Sequence, residues 1–238
     1  MIFQFSFMIK DLQKFQKTIG YSFKDQSILK QALVHPSYSG EMHMCRYESN
    51  QRLEFLGDAV LELAISEYLY HEHPRVEEGE LTRKRSSLVF ETALDVCARS
   101  IALGDYLYLG KGEDAGSGRN KPSILSDAFE AVIGAIYLDG GFDEARRFIK
   151  TFVINNVDEM SLLRDGKSLI QKYVQSMHES DLRYEVDEIA APGHAERFRA
   201  RLFINDKLYS EGTGQSKKSA EQNAAVAACR ILNISNVS

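Results

Sequence analysis

With 238 residues, 44% of them apolar, and a formal net charge of −5, the chain is long enough for one large domain or two modest ones. The charge is too acidic for a uniform cationic coat, and no apolar run approaches the length that crosses a bilayer. The short apolar start lacks the basic leader and cleavage site of a signal peptide. Three cysteines, Cys45, Cys97 and Cys229, form no CxxC pair and make an odd count, which points to a reducing, cytoplasmic compartment.

Taken in order, residues 8–19 read as a helix closed by Gly20. Residues 25–34 read as a second, with Asp25 as N-cap and His35-Pro36 ending it. A polar loop over 37–49 leads into a helix from Asn50 to about Tyr70. His71 and His73 are two apart and cannot face one metal from a helix, and Pro74 breaks the element. A long helical pattern then runs through Leu81, Leu88, Val89, Ala93, Leu94 and Cys97, with the basic cluster Arg83-Lys84-Arg85 near its start. Such a cluster is a solvated face or a phosphate contact.

Residues 110–118 are glycine-rich but lack the order of a phosphate-binding P-loop, and read as a mobile loop beside a site. Lys121–Asp139 is a broad apolar helix, with Pro122 in its first turn and Gly140-Gly141 as its stop. A last helix spans about Phe142–Asn156. After a linker at 160–165, the pattern becomes a helix at 168–177 and strands at 183–190, 197–204 and 207–212. The turn Asn205-Asp206 joins the last two strands, and an Ala-rich helix spans 216–232. The expected fold is an all-α domain (8–159) followed by a small α-β-β-β-α domain (166–234).

The chemistry concentrates in two helices. Glu54 and Asp58 lie four apart among Leu53, Phe55, Leu56, Val60 and Leu61, and Asp127 and Glu130 lie three apart in the second apolar helix. Acids framed by apolar residues need counter-charges or a cation, because an unpaired buried charge is costly. If the two helices pack together, the four carboxylates form an all-oxygen cluster suited to a hard divalent cation. The alternative is salt bridges, with Arg52 or Arg85 as partners, or acids facing solvent.

The stretch Asn50-Gln51-Arg52-Leu53-Glu54-Phe55-Leu56-Gly57-Asp58 closely resembles the signature of ribonuclease III endonucleases. The resemblance recurs at Glu77-Glu78-Gly79 and at Ser123–Glu130, and the C-terminal part is similar to a double-stranded-RNA-binding domain. It implies Glu54, Asp127 and Glu130 as metal ligands, Asp58 and Glu130 in catalysis, and Glu78 near the RNA. The cofactor implied is Mg²⁺, with Mn²⁺ as a substitute. It also implies a homodimer into which Phe55 inserts, cutting both strands of an RNA duplex to 5′-phosphate and 3′-hydroxyl ends with two-nucleotide 3′ overhangs. Ribosomal RNA precursors and structured messages are the implied substrates. Gln51 departs from the family's usual Glu, and cannot supply the same charge to a cation or substrate.

In the second domain, Lys217 and Lys218 open the last helix, where both ammonium groups and the helix dipole favour phosphate. Gln171 and His194 match family positions that reach successive minor grooves of a duplex. Phe198, Phe203 and Tyr209 read as core and strand residues. Two rivals remain open: an RNA-binding protein whose nuclease domain is weak or inactive, and a metal-dependent nucleotide hydrolase using the same acids.

Overall fold

The computed structural model describes residues 11–177, 181–189 and 197–234. These form two compact units dividing between Asn155 and Asn156. The first unit is helical: α1 (Leu12–Ile19), α2 (Gln26–Ala32), α3 (Pro36–Glu41), α4 (Gln51–Glu72), α5 (Glu78–Ser86), α6 (Glu91–Ser100), α7 (Lys111–Ala115), α8 (Pro122–Gly140) and α9 (Phe142–Phe152). The second contains α10 (Val157–Ser176), β1 (Leu182–Glu188), β2 (Phe198–Ile204), β3 (Lys207–Gly214) and α11 (Lys217–Ile231). No helix among the described residues is long and apolar enough to cross a membrane.

The first unit is built around α8. Pro122 occupies its first turn, where a missing N–H costs nothing, and Gly141 stops it with φ of 86°. Its buried residues come from every side of the helix, as expected for a central element. Helix α4 buries Leu53, Gly57, Val60, Leu61, Ala64, Ile65 and Leu69. The two helices meet at glycines. A Cβ on Gly57 would lie 1.8 Å from the Glu130 carbonyl oxygen, and one on Gly134 would lie 2.2 Å from that of Leu53. Glycine in a helix costs about 1 kcal/mol relative to alanine; here it permits backbone-to-backbone contact.

Four segments differ from the sequence expectation. Pro36 does not merely end α2 but occupies the first turn of α3, which His35 caps by accepting from the Ser37 N–H at 3.2 Å. The helical pattern of 81–97 is two helices: the chain turns after Ser87 to bury Leu88, and extended Phe90 becomes the N-cap of α6. The glycine-rich stretch 110–118 is tied down. Arg119 donates to the Gly104 and Leu107 carbonyls and to Asp114, and Gly118 is closed over by Glu113. Finally, the expected linker 160–165 is helical within α10. Gly166 breaks nothing there, because its missing Cβ lets α10 approach Val226 Cγ2, which a Cβ would meet at 2.9 Å.

The second unit is an antiparallel sheet in the order β1-β2-β3. Asn205 and Asp206 both take positive φ, 49° and 62°, as a tight two-residue hairpin turn requires. The alanine bias of α11 has a packing cause. A Cβ on Gly212 would lie 2.2 Å from the Ala224 nitrogen, so the helix lies almost on the sheet and only small residues fit. Ile170, Val174, Ala200, Leu202, Ile204, Ala220, Ala224 and Cys229 form the core.

Candidate active site and RNA-binding surface

The glycine crossing determines where the acids fall. Glu54 and Asp58 flank Gly57 on α4, and Asp127 and Glu130 lie within two turns of Gly134 on α8. Glu54, Asp127 and Glu130 are half-buried, and Asp58 is exposed. Each half-buried acid is harder to ionise than usual. Burial raises Glu54, followed by the charges of Asp127 and Asp58. Burial raises Asp127, followed by the charge of Glu91. Glu130 is pushed up to about 8 by burial and then by Asp58, Asp127 and Glu54. Glu54 and Glu130 thus each feel the charges of other acids on α4 and α8 across a partly dry space.

Among the described residues no ion pair reaches Glu54, Asp58, Asp127 or Glu130, so the salt-bridge alternative fails. Arg85 is engaged elsewhere, 3.9 Å from the Glu62 carboxylate and donating to Ser66 Oγ at 3.0 Å. The donor set is all oxygen and uncompensated, which fits a hard divalent cation. Yet among the described residues no group of three or more His, Cys, Asp or Glu side chains is gathered closely enough to hold a metal. Mg²⁺ needs only one or two carboxylates directly, completing its shell with water and substrate phosphate.

The other expected site residues are spread around this centre. Gln51 is the first residue of α4, is exposed, and lines a pocket of about 240 Å³ with Pro36, Met44, Arg46 and Ser49. Its neighbour Asn50 is 1% exposed, and its Nδ2 finds no acceptor among the described residues. Glu78 opens α5, exposed, and accepts from Thr82 Oγ1 at 2.8 Å. Phe55 is 81% exposed despite its apolar ring, one residue from Glu54 but on another face. Glu91, at the start of α6, is the residue that sequence reasoning missed. It acts on Asp127 across 36 residues of chain, and no spacing pattern links the two.

In the second unit Lys217 and Lys218 are exposed in the first turn of α11. Ser216 and Ser219 cap that turn reciprocally, with Ser219 N–H donating to Ser216 Oγ at 3.1 Å and Ser216 N–H to Ser219 Oγ at 3.0 Å. Among the described residues neither lysine has an ion-pair partner, which leaves both ammonium groups available to an anion. Gln171 is exposed on α10. His194 lies outside the described residues. Phe198 and Tyr209 pack against the core, while Phe203 lies beneath the Arg183 guanidinium, 4.6 Å from its ring centre.

Comparison with known proteins agrees with both halves. Residues 25–157 match the family model "Ribonuclease-III-like", and residues 167–232 match "Double-stranded RNA binding motif". Ribonuclease 3 of Staphylococcus epidermidis is 40% identical over 231 residues, covering 94% of each chain. Ribonuclease 3 of Pelotomaculum thermopropionicum is 44% identical over 210 residues, covering 87% of each. Among solved structures, the ribonuclease III nuclease domain of Campylobacter jejuni superposes with a TM-score of 0.57 at 40% identity. It covers 62% of this chain and 97% of its own.

Proposed function

Because the chain belongs to the ribonuclease III family, we propose that it is an endoribonuclease that hydrolyses both strands of double-stranded RNA. The observation that carries this reading is the set of four carboxylates at the α4–α8 crossing, uncompensated by any described cation. Glu54, Asp58, Asp127 and Glu130 are the carboxylates that would hold the metal, Mg²⁺ or Mn²⁺ in its place, one or two of them directly and the others through water. When bound, such a cation supplies charge neutralisation and Lewis acidity to phosphodiester hydrolysis.

The protein's own share is positioning and proton handling. The glycine crossing holds the acids on rigid helices, which limits their reorganisation during the reaction. Asp58 and Glu130 are the groups that orient the attacking water and manage its proton. The water oxygen bonds to phosphorus, the P–O3′ bond breaks, and the departing oxygen takes up a proton. The products are a 5′-phosphate and a 3′-hydroxyl. Two sites in a homodimer, each cutting one strand, give two-nucleotide 3′ overhangs. The exposed Phe55 supports such a dimer, because a lone chain gains nothing from an apolar ring in water. A related C. jejuni nuclease domain, 41% identical, has a region involved in dimer formation.

The second unit binds the duplex through Gln171, Lys217, Lys218 and, by its sequence position, His194. These groups meet phosphates and minor-groove edges, so recognition follows A-form shape more than sequence. The substrates are ribosomal RNA precursors and structured messages in the cytoplasm, and the functional domains run over 8–159 and 166–234. The test is incubation of the purified chain with an end-labelled duplex, with and without Mg²⁺, followed by mapping of the ends. Mg²⁺-dependent cuts staggered by two nucleotides are expected. Binding without cleavage would instead establish the rival reading of an inactive RNA-binding protein.

A further inference from the structure

Helix α5 buries none of its nine residues. Its one apolar side chain in contact with the body, Leu81, is only half-buried. The helix nevertheless carries Glu78 at its start and the cations Arg83 and Lys84 near its end, all exposed or half-buried. Something other than apolar burial must set its register on α4. Arg85 supplies one such contact. Its guanidinium donates to Ser66 Oγ at 3.0 Å and lies 3.9 Å from the Glu62 carboxylate. Ser66 in turn donates to the Glu62 carbonyl at 2.7 Å, which fixes the receiving hydroxyl.

Glu62 lies one turn beyond Asp58 on α4 and Ser66 one turn beyond Glu62, each step turning about 40° around the helix. The arginine therefore meets α4 one and two turns beyond one of the site's acids. One guanidinium nitrogen thus makes a hydrogen bond to Ser66 and lies within ion-pair distance of Glu62, which ties α5 to α4 at a single point.

We infer that Arg85 is a positioning residue, which docks α5 onto α4 one turn beyond Asp58 so that the basic end of α5 faces the RNA backbone beside the cleaved phosphate. The inference rests on the endonuclease reading. Arg85 touches no reacting atom; it acts through α5. A half-exposed pair of this kind contributes little to global stability. Its loss therefore frees α5 without unfolding the domain.

The experiment is steady-state cleavage of a labelled duplex with Mg²⁺ by the full chain, with Arg85→Gln, Arg85→Lys, Glu62→Gln and the Arg85→Gln/Glu62→Gln double variant. Arg85→Gln is expected to lower kcat/KM roughly tenfold, mainly through KM, and to blur the cut position by a nucleotide on either side. Arg85→Lys should recover part of the loss. The double variant should be no worse than the worse single one, since both changes break one contact. Glu62→Gln carries the same expectation should Arg85→Gln not fold. Wild-type kinetics and cut positions in Arg85→Gln overturn the inference. So does a loss confined to kcat that tracks a fall in melting temperature, or losses that add in the double variant. A wild-type chain that leaves the duplex intact overturns the endonuclease reading and, with it, this one; a wild-type chain that cuts while the variants match it overturns this one alone.

Discussion

Replacing Glu130 by glutamine should abolish cleavage and, in the absence of metal, make the protein more stable. Glu130 ionises near 8 in the folded chain against an ordinary 4.5, because burial and three neighbouring acids oppose its charge. The folded state thus holds this proton more tightly than the unfolded one. The group's contribution is most favourable below pH 4.5, declines as pH rises, and levels off above about 8. At about 1.4 kcal/mol per pH unit, the penalty at pH 7 is about 3 kcal/mol before screening. Solvent at the open side of the site and the freedom of Asp58 to move away reduce it to about 1–2 kcal/mol.

The amide removes that penalty at nearly constant shape. Thermal unfolding followed by helical circular dichroism in chelator should show Glu130→Gln melting about 3–8 °C above wild type at pH 8. The two should nearly coincide at pH 5. Added Mg²⁺ should raise the wild-type melt and reverse the order, since the variant lacks a ligand. Duplex binding should stay close to wild type while cleavage disappears. Equal melting at pH 8 and pH 5 would refute the repulsive cluster. Retained cleavage would remove Glu130 from the chemistry.

Gly57→Ala should destabilise the nuclease unit by about 3 kcal/mol or more, because the new carbon meets a backbone oxygen that cannot swing away. Urea unfolding measures this, and a wild-type midpoint would mean that α4 and α8 do not touch at Gly57. Lys217→Ala with Lys218→Ala should weaken binding to every duplex and lower the salt slope by about 2. An unchanged slope in filter binding would show that these lysines do not meet phosphate. Phe55→Glu should convert a dimer to monomers in light scattering, since it places a charge where an apolar ring is covered. A dimer that persists would show that Phe55 lies outside the contact.

Where a local rule acts alone, the sequence could be read directly. Asp25 caps α2 by accepting from the Ser27 N–H at 2.8 Å, Pro122 opens α8, and Asn205-Asp206 turns the last hairpin. The acid pairs were visible because a helix places residues three and four apart on one face. What the sequence hid depends on distant partners. Apolar spacing continues through 87–90, so nothing local announces the break between α5 and α6. Polar residues fill 37–49, and only the backbone reveals α3 there. Gly57 and Gly166 look like weak points in helices, and become close-packing positions only once Glu130 and Val226 are placed against them. The influence of Glu91 on Asp127 had no signal at all.

The energetics of the cluster also bear on whether the one departure, Gln51, marks a lost activity. A domain kept only for binding gains stability by shedding its most costly acid, and Glu130 is the acid whose charge this fold opposes most strongly. It is present, with Glu54, Asp58 and Asp127, and no cation among the described residues pairs with any of them. Gln51 stands apart from that conflict. It is exposed at the start of α4 and faces a pocket shared with Arg46. An acid there would sit one turn from Glu54, adding a like-charge repulsion of about 0.3 kcal/mol. The amide thus spares a small repulsion and leaves the most costly acid, Glu130, in place. Keeping that acid is the reverse of decay, and it favours a nuclease that retains the acids it must ionise around a cation.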